Sequence, residues 1–189
     1  MFIILFLFFI SLFRILYATN MDILPDEAYY WDWSRQLDFS YYDQGPGVAL
    51  FIRSFTSVFG NTIFALKFSA IFASAVSLWF IYEIGKLLEF SKFQNLILPG
   101  LFLFIPAFFS GSLVIMHDTV LILFWTVALF FSLRFILRKD NFSLYMTFIS
   151  LGLGFLGKHT MVFFAISLIF WLIISPKELN LFKNKHFYF

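Results

Sequence analysis

Cysteine is absent from the 189 residues, which excludes disulfides, thiolate metal sites and a cysteine nucleophile. Charge is scarce too: 13% of residues are Asp, Glu, Lys or Arg, against 61% hydrophobic. A water-soluble domain has no interior large enough for that much apolar surface, so lipid must solvate most of the chain. The net charge of +2 says little by itself, and no nucleic-acid partner is expected. No soluble domain, low-complexity tract or repeat stands out. What is present is oil, with a mean hydropathy of +0.90 and 32 phenylalanines that serve as general lipid-facing and packing residues.

Each bilayer crossing takes about 20 apolar residues, which leaves room for about six helices. Six stretches can be drawn, at about 2–18, 62–84, 95–115, 119–138, 143–157 and 160–175. The first lacks a basic start and a cleavage site, so it reads as a retained helix rather than a secretory signal. The last two are short and suit a hairpin around "GKHT". Between the first and second lies "PGVALFIRSFTSVFG", whose Arg53 and hydroxyls suit a helix lying in the membrane interface.

Alternate loops differ in basic residues. One side receives Lys86, Lys92, Arg134, Arg138, Lys139, Lys177, Lys183 and Lys185; the other receives Arg35, Arg53 and Lys158, with Lys67 just inside the second span. The basic side is expected in the cytoplasm. Arg14, against that trend, is expected to snorkel toward the headgroups. The loop 19–60 and the turns "MHDT" and "GKHT" then share the extracytoplasmic side, away from cytosolic nucleotide donors.

That side carries the polar groups. Asp22, Asp26, Glu27, Asp32, Asp38 and Asp43 are six of the eleven carboxylates, gathered in one loop with Tyr29, Tyr30, Trp31, Trp33, Tyr41 and Tyr42. In "DEAYYWDWSRQL", positions 26, 30, 33 and 37 fall on one helical face. The rings of Tyr29, Tyr30, Trp31 and Trp33 suit a short helix floated at headgroup level, or a sugar or headgroup site. Asp26, after Pro25, suits an N-cap or a reactive carboxylate. Gly45, Pro46 and Gly47 supply a turn. His117 and Asp118 stand between two spans with almost no loop, where a charge is a functional candidate by default, or a cap. Lys158 and His159 occupy a similar turn, Lys158 either snorkelling or holding an anionic phosphate. Glycines 152, 154 and 157 permit close helix approach. Two histidines near carboxylates leave room for a divalent metal, yet no tight ligand spacing supports one. No other cofactor is expected.

"DEAYYWDWSRQLDFSYYDQGPGVALFIR" resembles the first extracytoplasmic loop of GT-C glycosyltransferases, and within them the family 39-type proteins, protein O-mannosyltransferases and lipid A aminoarabinose transferases. The resemblance rests on an Asp-Glu pair after the first helix, an aromatic surface helix, and "YYD" before a Pro-containing turn. "PAFFSGSLVIMHDTVLILFW" and "LGLGFLGKHT" are similar to the family's second and third signatures, in family order. Departures are His117 and Val120 around Asp118, His159 where Tyr is common, and "DQGPG" in place of a His-Pro-Pro turn.

The resemblance implies an all-α, polytopic membrane fold with two interfacial helices in the first loop. It further implies inverting transfer of a sugar from a polyprenyl-phosphate donor to a lipid, glycan or protein acceptor, outside a bacterial or archaeal plasma membrane. Asp26 takes the role of general base. Asp118 positions the acceptor or supports oxocarbenium-like charge. Lys158, aided by His159, steadies the departing phosphate. Glu27 acts as a capping or supporting partner, and Tyr30 and Asp43 join it on the substrate-binding side. Family members are longer, so the chain reads as the N-terminal part of a larger membrane domain, completed by further sequence or a separately encoded half. Alone it is expected to be inactive. The competing readings are a non-catalytic membrane subunit and a lipid-carrier transporter or flippase. The latter would place ionisable groups at mid-membrane, where the drawn spans have none.

Overall fold

In lipid the backbone has no water to bond, so apolar runs must satisfy their own N–H and C=O groups, and helices follow. The computed structural model describes residues 2–42 and 44–175. It contains α1 (Phe2–Ala18), α2 (Pro25–Arg35), α3 (Gly47–Phe59), α4 (Ile63–Leu87), α5 (Lys92–Leu103), α6 (Pro106–Gly111), α7 (His117–Arg138) and α8 (Asn141–Gly157). A 3-10 turn at His159–Met161 leads into α9 (Val162–Ile174). Among the described residues there is no strand, and the protein is an all-α membrane protein. The 25-residue α4 and 22-residue α7 are long and apolar enough to cross a bilayer; α1 and α8, at 17 residues each, are shorter.

The drawn third span, 95–115, is not one helix. It divides into α5 and α6 at Phe104 and Ile105, followed by an irregular link at 112–116. Pro106 is the cause: its ring disfavours helical geometry in the residue before it, and Ile105 sits at φ −75° and ψ 115°.

At one end of α1, Ile3 and Leu7 pack with Leu78 and Ile81 of α4 and Phe108 of α6; near its other end, Ala18 meets Ile71, Leu113 and Val114. The α4–α7 seam is built from Ala73, Leu123, Val127 and Phe131. The α3 helix buries Val48, Ala49, Ile52 and Thr56 along one face and leaves Leu50, Arg53, Ser54 and Ser57 outside, the one-sided pattern of a helix laid on a bundle.

Two cations lie deeper than their sequence suggests. Arg14 does not snorkel: it is 2% exposed, donates from Nη1 to Ser74 Oγ at 2.8 Å, and faces the Phe109 ring. Its Nε and Nη2 are buried without a hydrogen-bond partner among the described residues. Lys67 is wholly enclosed.

Candidate functional site where three segments meet

Proline begins α2. Pro25 is the first helical residue, its fixed φ already helical, so the N-cap is Leu24, in extended geometry, and not Asp26. Asp26 and Glu27 fall in the first turn and Arg35 in the last, each favourable to the helix dipole. Glu27 does the capping: Leu24 N donates to its Oε2 at 3.3 Å. Its other oxygen accepts from Ile115 N at 3.2 Å, on the link before α7. Glu27 is wholly enclosed, so it faces other parts of the chain rather than a substrate. Asp26, one position earlier, is exposed and makes no hydrogen bond or ion pair among the described residues.

One turn beyond Asp26, the Tyr30 ring meets the His117 ring edge-on at 4.4 Å. Trp33 lies 5.8 Å from the same imidazole and stacks on Tyr41 at 4.2 Å with the planes 6° apart. Trp33 is therefore packed inward, 8% exposed, rather than floated among headgroups; Tyr29 and Tyr42 stay outside. Tyr41 closes the end of α2. Its hydroxyl accepts from Asp38 N at 3.0 Å and lies 2.9 Å from the Gln36 carbonyl. Sequence reasoning gave Tyr41 no task, although its place in "YYD" was the available signal.

His117 carries the second segment to the third. Its Nδ1 is 3.1 Å from Gly157 O, and since a carbonyl only accepts, Nδ1 bears the proton. Gly157 allows this approach, because a Cβ there would meet Val120 Cγ1 at 2.7 Å. The turn 45–47 presses on the same spot: a Cβ on Gly45 would lie 2.7 Å from Leu156 O, and one on Gly47 would lie 2.5 Å from Leu156 C. His159 N donates to Gln44 Oε1 at 3.4 Å. Gly154 meets the Met161 side chain, whereas Gly152 has nothing within 4 Å and takes no part in close packing.

Asp118 is in the first turn of α7, at a helix start capped by Met116, not by Asp118 itself. The Lys158 ammonium donates to Asp118 Oδ1 at 2.6 Å, with side-chain exposures of 26% for Lys158 and 55% for Asp118. His159 is exposed, its ring 5.1 Å from Phe155. Asp43 lies outside the described residues. Among the described residues no three His, Asp or Glu side chains gather as metal ligands.

Segments 24–47, 115–119 and 157–159 thus converge through Glu27, Tyr30, His117, Gly157 and Gln44. The result offers an exposed carboxylate on one helix start and an ion-paired carboxylate on another, beside an ammonium. Such a set can accept a proton, support developing positive charge and neutralise an anion.

Residues 43–189 match the family model of dolichyl-phosphate-mannose-protein mannosyltransferase. Among curated proteins, the lipid A galacturonosyltransferase RgtD of Rhizobium johnstonii is 24% identical over 143 residues. That match takes in 75% of this chain, and the chain spans about 30% of the relative's length. No solved structure gives a significant match.

Proposed function

The chain belongs to the dolichyl-phosphate-mannose-protein mannosyltransferase family, and on that premise we propose that it forms the acid-bearing face of a membrane glycosyltransferase. The donor is a polyprenyl-phosphate sugar, and the acceptor an extracytoplasmic hydroxyl or phosphate on a lipid, glycan or protein. The observation that carries this reading is the Asp118–Lys158 pair, 40 residues apart in sequence, formed at the start of α7 where His117 meets Tyr30 of α2.

Asp26 accepts the acceptor's proton as its oxygen attacks the anomeric carbon. The bond from that carbon to the phosphate oxygen breaks with inversion, and the electron pair leaves with the polyprenyl phosphate. Asp118 supports the oxocarbenium-like charge that develops between these events, as carboxylates do in glycoside hydrolysis. Lys158 meets the departing phosphate; until the donor binds, Asp118 holds its ammonium in place. His117 and Tyr30 keep the two helix starts in contact. The basic residues at the opposite helix ends support an extracytoplasmic site, where a lipid-linked donor is within reach and a cytosolic nucleotide sugar is not.

Membranes bearing the protein in a complete, active form, supplied with a radiolabelled polyprenyl-phosphate sugar, are expected to release polyprenyl phosphate and label an acceptor. Asp26→Asn should abolish transfer while leaving insertion intact. Undiminished transfer by that variant, or transfer from a nucleotide sugar without lipid donor, overturns the proposal.

A further inference from the structure

The reaction described leaves one pair of buried charges without a task. Lys67, in the second turn of α4, donates to Glu27 Oε2 at 2.5 Å, and both side chains are 0% exposed. With the amides of Leu24 and Ile115, this carboxylate joins three stretches that the sequence keeps apart: the entry to α2, the body of α4, and the link that delivers α7. A buried ion pair is a poor choice for stability alone, because dehydrating two charges offsets most of their attraction and apolar residues would serve as well. What it adds is direction: charged carboxylate oxygens fix amide hydrogens in angle as well as distance. Asp26 immediately precedes Glu27, and Asp118 follows Ile115 by three positions, so this junction sets the placement of both exposed acids.

We infer that Lys67 is a positioning residue: acting through Glu27, it fixes the acid-bearing start of α2 in register with the start of α7. The inference rests on the glycosyltransferase reading for its effect on turnover, but its geometric half can be measured without any reaction. Since the chain has no cysteine, introduced thiols are the sole sites for a thiol cross-linker. Tyr30→Cys with His117→Cys, at rings 4.4 Å apart, reports the α2–α7 register.

In membranes, a short bifunctional thiol reagent should bridge this pair efficiently with Lys67 present, several-fold less with Lys67→Met, and efficiently again with Lys67→Arg. Without the introduced cysteines, Lys67→Met should lower kcat by about 10-fold or more and leave the donor KM within about twofold, the mark of misplacement rather than lost binding. Lys67→Arg should recover most of kcat. If Lys67→Met fails to insert, Glu27→Leu with Lys67→Met removes both charges; it should insert and still show weak cross-linking and low kcat. Parent-like cross-linking and turnover in that inserted double variant would overturn the inference, as would cross-linking indifferent to Lys67→Met. Weakened cross-linking in a complete form of the protein whose parent transfers no sugar keeps the positioning role and rejects the enzymatic reading.

Discussion

Replacing Gly47 by alanine tests how closely the first loop meets the Lys158 turn. A Cβ at Gly47 would sit 2.5 Å from Leu156 C and 2.6 Å from Gly157 Cα. Carbons in contact rest about 3.5–4.0 Å apart, so α3 must retreat by roughly 1 Å. The atoms in the way are backbone and cannot rotate aside. Overfilling a packed site of this kind costs about 1–3 kcal/mol, a fall in Tm of roughly 2–12 °C for a chain of this size. Gly152→Ala is the matched control, because a Cβ there meets nothing within 4 Å. Inside α8, that change should stabilise by about 0.5–1 kcal/mol through backbone entropy alone. The same chemical change is therefore expected to act with opposite sign at two positions, read by thermal unfolding in detergent. The retreat would also carry Gln44 away from His159 N, and displacement of about 1 Å near a reacting group lowers turnover about 10²-fold. If Gly47→Ala proves as stable as Gly152→Ala, α3 and α8 do not touch, and the convergence of the three segments fails with them.

The spans were legible because lipid imposes one rule on every apolar run, and hydropathy reports it directly. The interfacial α3 was legible for a related reason: Arg53, Ser54 and Ser57 fall outside while Val48, Ala49 and Ile52 fall inside. The break at Pro106 carried a local signal, outweighed by the continuous hydropathy around it. The start of α2 did too. A proline at the first helical position puts the cap one residue before it, which points to Leu24 rather than Asp26.

Packing across distant segments was not legible. Lys67 and Arg14 showed in sequence only as charges placed against the trend; an ionisable residue within a span implies a partner, but nothing local names Glu27 or Ser74. The aromatic face through positions 30 and 33 was visible, whereas its neighbour, His117, lies more than eighty residues further along. Gly45 and Gly47 looked like turn residues. Their work against Leu156 and Gly157 depends on two backbones meeting across about 110 positions, and a missing side chain leaves no pattern to read.

The Asp118–Lys158 pair is partly solvated, so Lys158→Ala should change stability by no more than about 1 kcal/mol, measured as Tm. Transfer should fall about 10²–10³-fold, as when one charge-stabilising donor is removed; a large Tm loss with activity retained would make the pair a structural clamp instead. Exchanging the two residues, Asp118→Lys with Lys158→Asp, should restore Tm and not transfer, since the ammonium would then face the wrong partner. Asp140 offers a test away from the site. It caps α8 through Ser143 N at 2.9 Å, accepts from Ser143 Oγ at 2.9 Å, and lies 3.5 Å from Arg134 Nε. Partial burial pushes its carboxyl up, but the Ser143 bonds and the Arg134 charge outweigh this and hold it below its ordinary 3.8. A carboxyl lowered on folding contributes its full stability above the unfolded value and loses it as pH falls through the folded one. Asp140→Asn keeps a capping side chain and removes the charge. Its Tm should lie below that of the parent by a constant amount from pH 7 to about pH 5, and the gap should close below about pH 4. A gap that widens on acidification would show that the neutral form of Asp140, not its carboxylate, is what the end of α7 and the start of α8 hold in place.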